Sequence, residues 1–142
     1  MESSSGPSQA SRGRKLTFGL LGLTAILVAA ASIVGISDNL PGALLLYGAG
    51  LTLVLAGVHR WRDPRRFITL FAICAVGFFV MVVVHNFAEV GAERIAHLPL
   101  LAMVLSGISV IGFILAVILC PMGGLVGLAG SIIFGVRDGK KA

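Results

Sequence analysis

Apolar and polar positions alternate along this chain on the scale of whole helices rather than single residues. Residues 16–36, 40–58, 67–84 and 98–119 are apolar runs, and none of them contains a lysine, arginine, aspartate or glutamate. A bilayer's hydrocarbon layer of about 30 Å needs about 20 apolar helical residues, so each run is long enough, or nearly so, to cross it. A charge at mid-helix would oppose insertion by roughly 2.5 to 3.5 kcal/mol, and these runs carry none. Stretches such as FFVMVVV, residues 78–84, are apolar on every face and lack the alternation of a membrane β-barrel. The pattern predicts an all-α integral membrane protein, a four-helix transmembrane bundle with helices near 16–36, 40–58, 67–87 and 98–119.

The segment CPMGGLVGLAGSIIFGV, residues 120–136, complicates the last crossing. One straight helix over 98–136 would be about 58 Å long, too long for a bilayer. A break is expected at Pro121 with Gly123 and Gly124, where a donor is missing and turn dihedrals are accessible. That leaves a short Gly-rich helix, 122–136, of about 22 Å, lying at the cytoplasmic interface or half inserted; a fifth crossing is the alternative. Gly123, Gly127, Ser131 and Gly135 recur every four residues on it, a stripe that would let another helix approach closely. Gly48, Thr52 and Ala56 make a similar stripe in the second run, and Gly112, Ala116 and Cys120 in the fourth.

The charges lie between the runs. Arg12, Arg14 and Lys15 precede the first, Arg60, Arg62, Arg65 and Arg66 follow the second, and Arg137, Lys140 and Lys141 close the chain. Only Arg94 falls elsewhere. Four crossings with both termini cytoplasmic place every basic residue but that one inside, as the positive-inside rule prefers. The net charge of +5 therefore calls for no nucleic-acid partner. Arg60, Trp61, Arg62, Arg65 and Arg66 read as a topology anchor or a contact for anionic lipid. Residues 1–15, rich in Ser and Gly, read as a disordered cytoplasmic tail, 16–136 as a single transmembrane domain and 137–142 as a basic cytoplasmic tail. A cleavable signal ending at Ala29-x-Ala31 competes with the first crossing. With 57% apolar and 12% charged residues and a mean hydropathy of +1.02, the composition agrees with a cell-membrane location.

Catalytic motifs are missing: there is no GxSxG, Walker A, HExxH, CxxC or EF-hand loop in the sequence. The expectation is a non-enzymatic protein without a cofactor, acting in the bilayer through helix packing as a homo-oligomer or a small subunit of a larger membrane complex. A channel or transporter for a neutral solute is the second reading, lined by Ser32, Tyr47, Thr52, Ser106 and Ser109. The third rests on HNFAEVGAERIAH, residues 85–97, in which His85, Glu89, Glu93 and His97 follow at four-residue steps. On a continuous helix they form a slowly drifting stripe at the outer boundary, where they could bind a metal such as zinc, or the two histidines a haem. Gly91 and the positive Arg94 argue against it, and a solvated turn is the simpler account. Phe67, Phe71 and Phe78 share a face of the third run, suited to packing or lipid contact. Cys74 and Cys120 are expected at different depths, as two free thiols.

Overall fold

A computed structural model describes residues 7–35 and 39–139, and every element among them is helical. In chain order these are α1 (Pro7–Val34), α2 (Leu40–Val58), α3 (Pro64–Arg94), α4 (Pro99–Ile114), a π-helical turn (Leu115–Leu119) and α5 (Cys120–Gly139). Four helical stretches are long and apolar enough to cross a membrane: Gly13–Val34, Leu40–Val58, Pro64–Arg94 and Pro99–Arg137. The chain forms two compact units, Met1–Arg62 and Asp63–Ala142.

The first unit is a hairpin of α1 on α2. Helix α1 starts at Pro7, well before the apolar run, so residues 7–15 are helical where a disordered tail was expected; residues 1–6 lie outside the described residues. Proline suits a helix's first turn, and extending an existing helix needs no new nucleus. Gly35, at φ +87°, ends α1 in the left-handed region. Asp38 and Asn39, just ahead of α2, are residue types that cap helices, and Asp38 lies outside the described residues. Asn39 makes no side-chain cap, and its amide donates instead to Val34 O at 2.8 Å, satisfying a carbonyl at the end of α1. Small residues line the seam: Ala31, Ala49 and Ala56 are buried, and Gly48 faces Leu27. Thr24 and Thr52 meet across it, hydroxyl to hydroxyl, at 2.8 Å.

The second unit is a longer hairpin. Asp63 caps α3 by accepting from the Arg65 N–H at 2.9 Å, with Pro64 in the first turn. Helix α3 then runs for 31 residues, through Gly91, to Arg94. A turn closed by the Leu98 N–H on Ile95 O, 2.8 Å, leads into α4.

The expected break at Pro121 is not there. Residues 99–139 are helical throughout, and α5 is the continuation of α4 rather than a separate short helix. The disturbance takes the form of the π-turn, where the Cys120 N–H bonds to Leu115 O, five residues back. A proline ring crowds the carbonyl four residues before it, here that of Val117 in the middle of the π-turn. Shifting the bonding pattern by one residue just ahead of Pro121 absorbs the conflict without ending the helix.

Packing explains why the turn falls where it does. Helix α3 contacts α4, the π-turn and α5 in succession, so the two long helices run antiparallel along each other. From Phe67 the α3 seam proceeds through Phe71, Cys74, Phe78, Met81, His85 and Ala88, alternating steps of four and three residues. Opposite it lie Gly130, Gly127, Gly123, Cys120, Ala116, Gly112 and Ser109. That seam steps by three and four as well, with two successive steps of four, Gly112 to Ala116 to Cys120, the second of them in the π-turn. The wide turn holds both ends of the long helix in register with one straight partner.

Candidate functional site

The polar stretch that begins at residue 85 lies on α3, and the structure brings its first two members into one array with a serine from α4. Ser109 is the polar side chain found among the buried residues, at 6% exposure. His85 Nδ1 lies 2.8 Å from Ser109 Oγ and 3.0 Å from the Ser109 carbonyl oxygen. A carbonyl can only accept, so Nδ1 carries the proton and donates into the Ser109 pair. Nε2 then points at Glu89 Oε2, 3.5 Å away and one helical turn along α3. The Phe113 ring sits against the imidazole, 5.4 Å between centroids. Gly112 makes this approach feasible, because a Cβ there would stand 3.3 Å from His85 N and Met81 O.

A hydroxyl, an imidazole and a carboxylate in a row invite comparison with a nucleophile, its base and the group that orients the base. The atoms do not serve that chemistry. Ser109 Oγ is buried in mid-helix, and Nδ1, committed as a donor to a carbonyl, offers that hydroxyl no lone pair. Backbone N–H groups in a helix interior are bonded to carbonyls one turn back, so none is left to stabilise an oxyanion. The array is suited to joining two helices.

Beside it Glu89, Ala92, Glu93, Ser106, Ser109 and Val110 line an open groove of about 410 Å³. Glu93 reaches this groove, but His97 does not join the array. The sequence placed His85 and His97 at one depth, with the helix weakened at Gly91. Instead α3 continues about 14 Å beyond His85 to Arg94, and His97 lies in the turn after it. Among the described residues no three His, Cys, Asp or Glu side chains converge as a metal site, so His85, Glu89, Glu93 and His97 are not assembled into one.

The Gly-rich stripe is placed in part. A Cβ at Gly127 would stand 2.8 Å from Phe67 O and Phe71 N, and one at Gly123 would press on the Cys74 sulfur. Ser131 bonds only its own helix, at Leu128 O, and a Cβ at Gly135 would meet nothing. Steps of four residues rotate by 400° and so drift about 40° each time, leaving the seam after two steps. Gly130, one residue off that stripe, takes over against the Phe67 ring, which stacks on Phe134 at 5.4 Å. Alternating steps of three and four would have singled it out.

The two cysteines are also placed otherwise than expected. Because the helix does not end at Pro121, Cys120 stands beside Gly77 within the length of α3, and Cys74 beside Gly123. Both are free thiols, and both line one open apolar groove of about 430 Å³. In the first unit the guanidinium of Arg60 lies over Gly13, and His59 Nδ1 approaches Ala56 O at 3.0 Å. Arg65 and Arg66 are exposed in the first turn of α3. Of the hydroxyls proposed to line a solute path, Ser32 donates to Val28 O and Thr52 to Ala49 O, so each is satisfied on its own helix.

No family model, curated protein or solved structure matches this chain.

Proposed function

We propose that this chain is a non-enzymatic, multi-pass membrane protein that acts through helix packing, as a homo-oligomer or as a small subunit of a membrane complex. The distribution of side-chain size carries the reading. The buried residues are mostly Ala, Gly and Ser, joined by Val58, Phe67 and Ile118, while many large apolar side chains point outward on the long helices: Ile33 is 86% exposed, Phe87 77% and Phe79 70%. A protein folded by water would bury those side chains first. In lipid no such force acts between helices, and close approach of small residues holds them together.

In this reading the chain crosses the membrane four times with both termini cytoplasmic, and Arg60, Trp61, Arg62, Arg65 and Arg66 anchor the inner loop at the headgroups. Reporter fusions after residue 36 and after residue 142 should read outside and inside respectively; an external C-terminus would reject the topology. Purification from membranes in mild detergent, with mass by light scattering, tests the packing role. A particle of several 14.7 kDa chains, or one with a stoichiometric partner, supports it. A lone monomer, with no cross-linked neighbour in intact membranes, would reject it.

A further inference from the structure

Cys74 and Cys120 come from the two facing helices of the second unit and line the same cavity. Each sulfur lies on backbone that has no side chain to hold it off: Cys74 Sγ against Gly123, and Cys120 Sγ 3.4 Å from where a Cβ on Gly77 would be. The two positions are offset by about one helical turn, and the π-turn ending at Leu119 adjoins Cys120. Around the thiols the lining includes Phe71, Phe78, Phe79, Leu125 and Leu128, with no ionisable group besides the cysteines. This cavity is an open groove on the helix pair, about 430 Å³, so a ligand can enter it from the side.

We propose that Cys74 and Cys120 are a redox pair, oxidised to a disulfide between α3 and α5 by a lipid-soluble quinone that enters this cavity. The inference rests on the membrane reading above. A charged, water-borne oxidant such as glutathione disulfide would have to cross apolar lipid to reach these sulfurs, whereas a quinone is dissolved there already. Its flat ring suits the phenylalanine faces. In the net reaction two S–H bonds break and one S–S bond forms. Two electrons and two protons pass to the quinone oxygens, giving the quinol. Glycine on each helix opposite the other's cysteine lets the two backbones approach closely, and oxidation of the two free thiols would have to close the remaining axial offset to bring the Cα atoms within about 7 Å.

The test uses the full chain reconstituted in liposomes containing a fully ring-substituted quinone, which cannot add a thiol covalently. Cyanogen bromide cuts after Met81, Met103 and Met122, placing Cys74 in fragment 2–81 and Cys120 in fragment 104–122. The expected result is one quinol formed per protein, loss of both alkylatable thiols, and those two fragments linked without reductant in a chain of monomer mass. Cys74→Ser and Cys120→Ser should each abolish the link and the quinol. Floated protein that keeps both thiols after quinone and after the permeant oxidant diamide overturns the pair. A link formed with diamide but not with quinone overturns the choice of oxidant. Protein that fails to float with the liposomes rejects the membrane reading, and the quinone with it.

Discussion

His85 and Ser109 join α3 to α4 through two contacts of one nitrogen, Nδ1 at 2.8 Å from the hydroxyl and 3.0 Å from the carbonyl of the same residue. The carbonyl contact belongs to the backbone and does not depend on the serine side chain. Ser109→Ala should therefore keep half of the interaction, while His85→Ala loses all of it. Thermal unfolding in detergent should show a loss of about 0.5 to 1.5 kcal/mol for His85→Ala and a smaller one for Ser109→Ala. The double variant should resemble His85→Ala. Equal single losses, with the double variant no worse than either, would mean that the carbonyl contact contributes nothing, and additive losses that the two side chains do not interact.

Gly127 and Gly135 lie two helical turns apart on the stripe first read from the sequence, and only one of them meets α3. Gly127→Ala puts a Cβ against the backbone of Phe67 and Phe71 and should destabilise the second unit by about 1 to 3 kcal/mol, since backbone cannot swing away. Gly135→Ala meets nothing and should be neutral or stabilising by up to about 1 kcal/mol, from helix propensity alone. Unfolding of both variants in one detergent provides the comparison. A Gly127→Ala variant as mild as Gly135→Ala would place Gly127 outside the seam.

The π-turn carries one residue more than an α-helical turn, its Cys120 N–H bonding five residues back to Leu115 O. Deleting Val117 should convert it to an ordinary α-helical turn and leave His85 bonded to Ser109 while Cys74 still faces Gly123. Stability should stay within about 1 kcal/mol of the parent, small beside an ordinary helix deletion, which turns every later residue by about 100°. Deleting Leu125, inside α5, is the control, because it rotates Gly127 and Gly130 away from Phe67. If both deletions destabilise alike, the π-turn does not behave as a one-residue insertion in the helix.

The sequence by itself determined which segments are helical and apolar. Uncharged runs of about 20 residues leave the backbone few alternatives, and Asp63-Pro64 and Gly35 stop or start helices through chemistry local to those residues. It also marked Gly123 and Gly127 as places of close approach. Only the tertiary structure decided what happens at Pro121, because a proline's effect depends on whether the turn before it can widen, and a straight partner packed along both sides keeps the helix going. The same continuity moved Cys120 beside α3 and carried α3 past Gly91, so His85 and His97 part company. Ser109, unremarkable in its apolar run, became the partner of His85 through an antiparallel register set by contacts at Gly112, Gly123 and Gly127, residues distant in sequence from the histidine. Local rules place residues on a helix face; which face meets which neighbour is settled by packing along the whole seam.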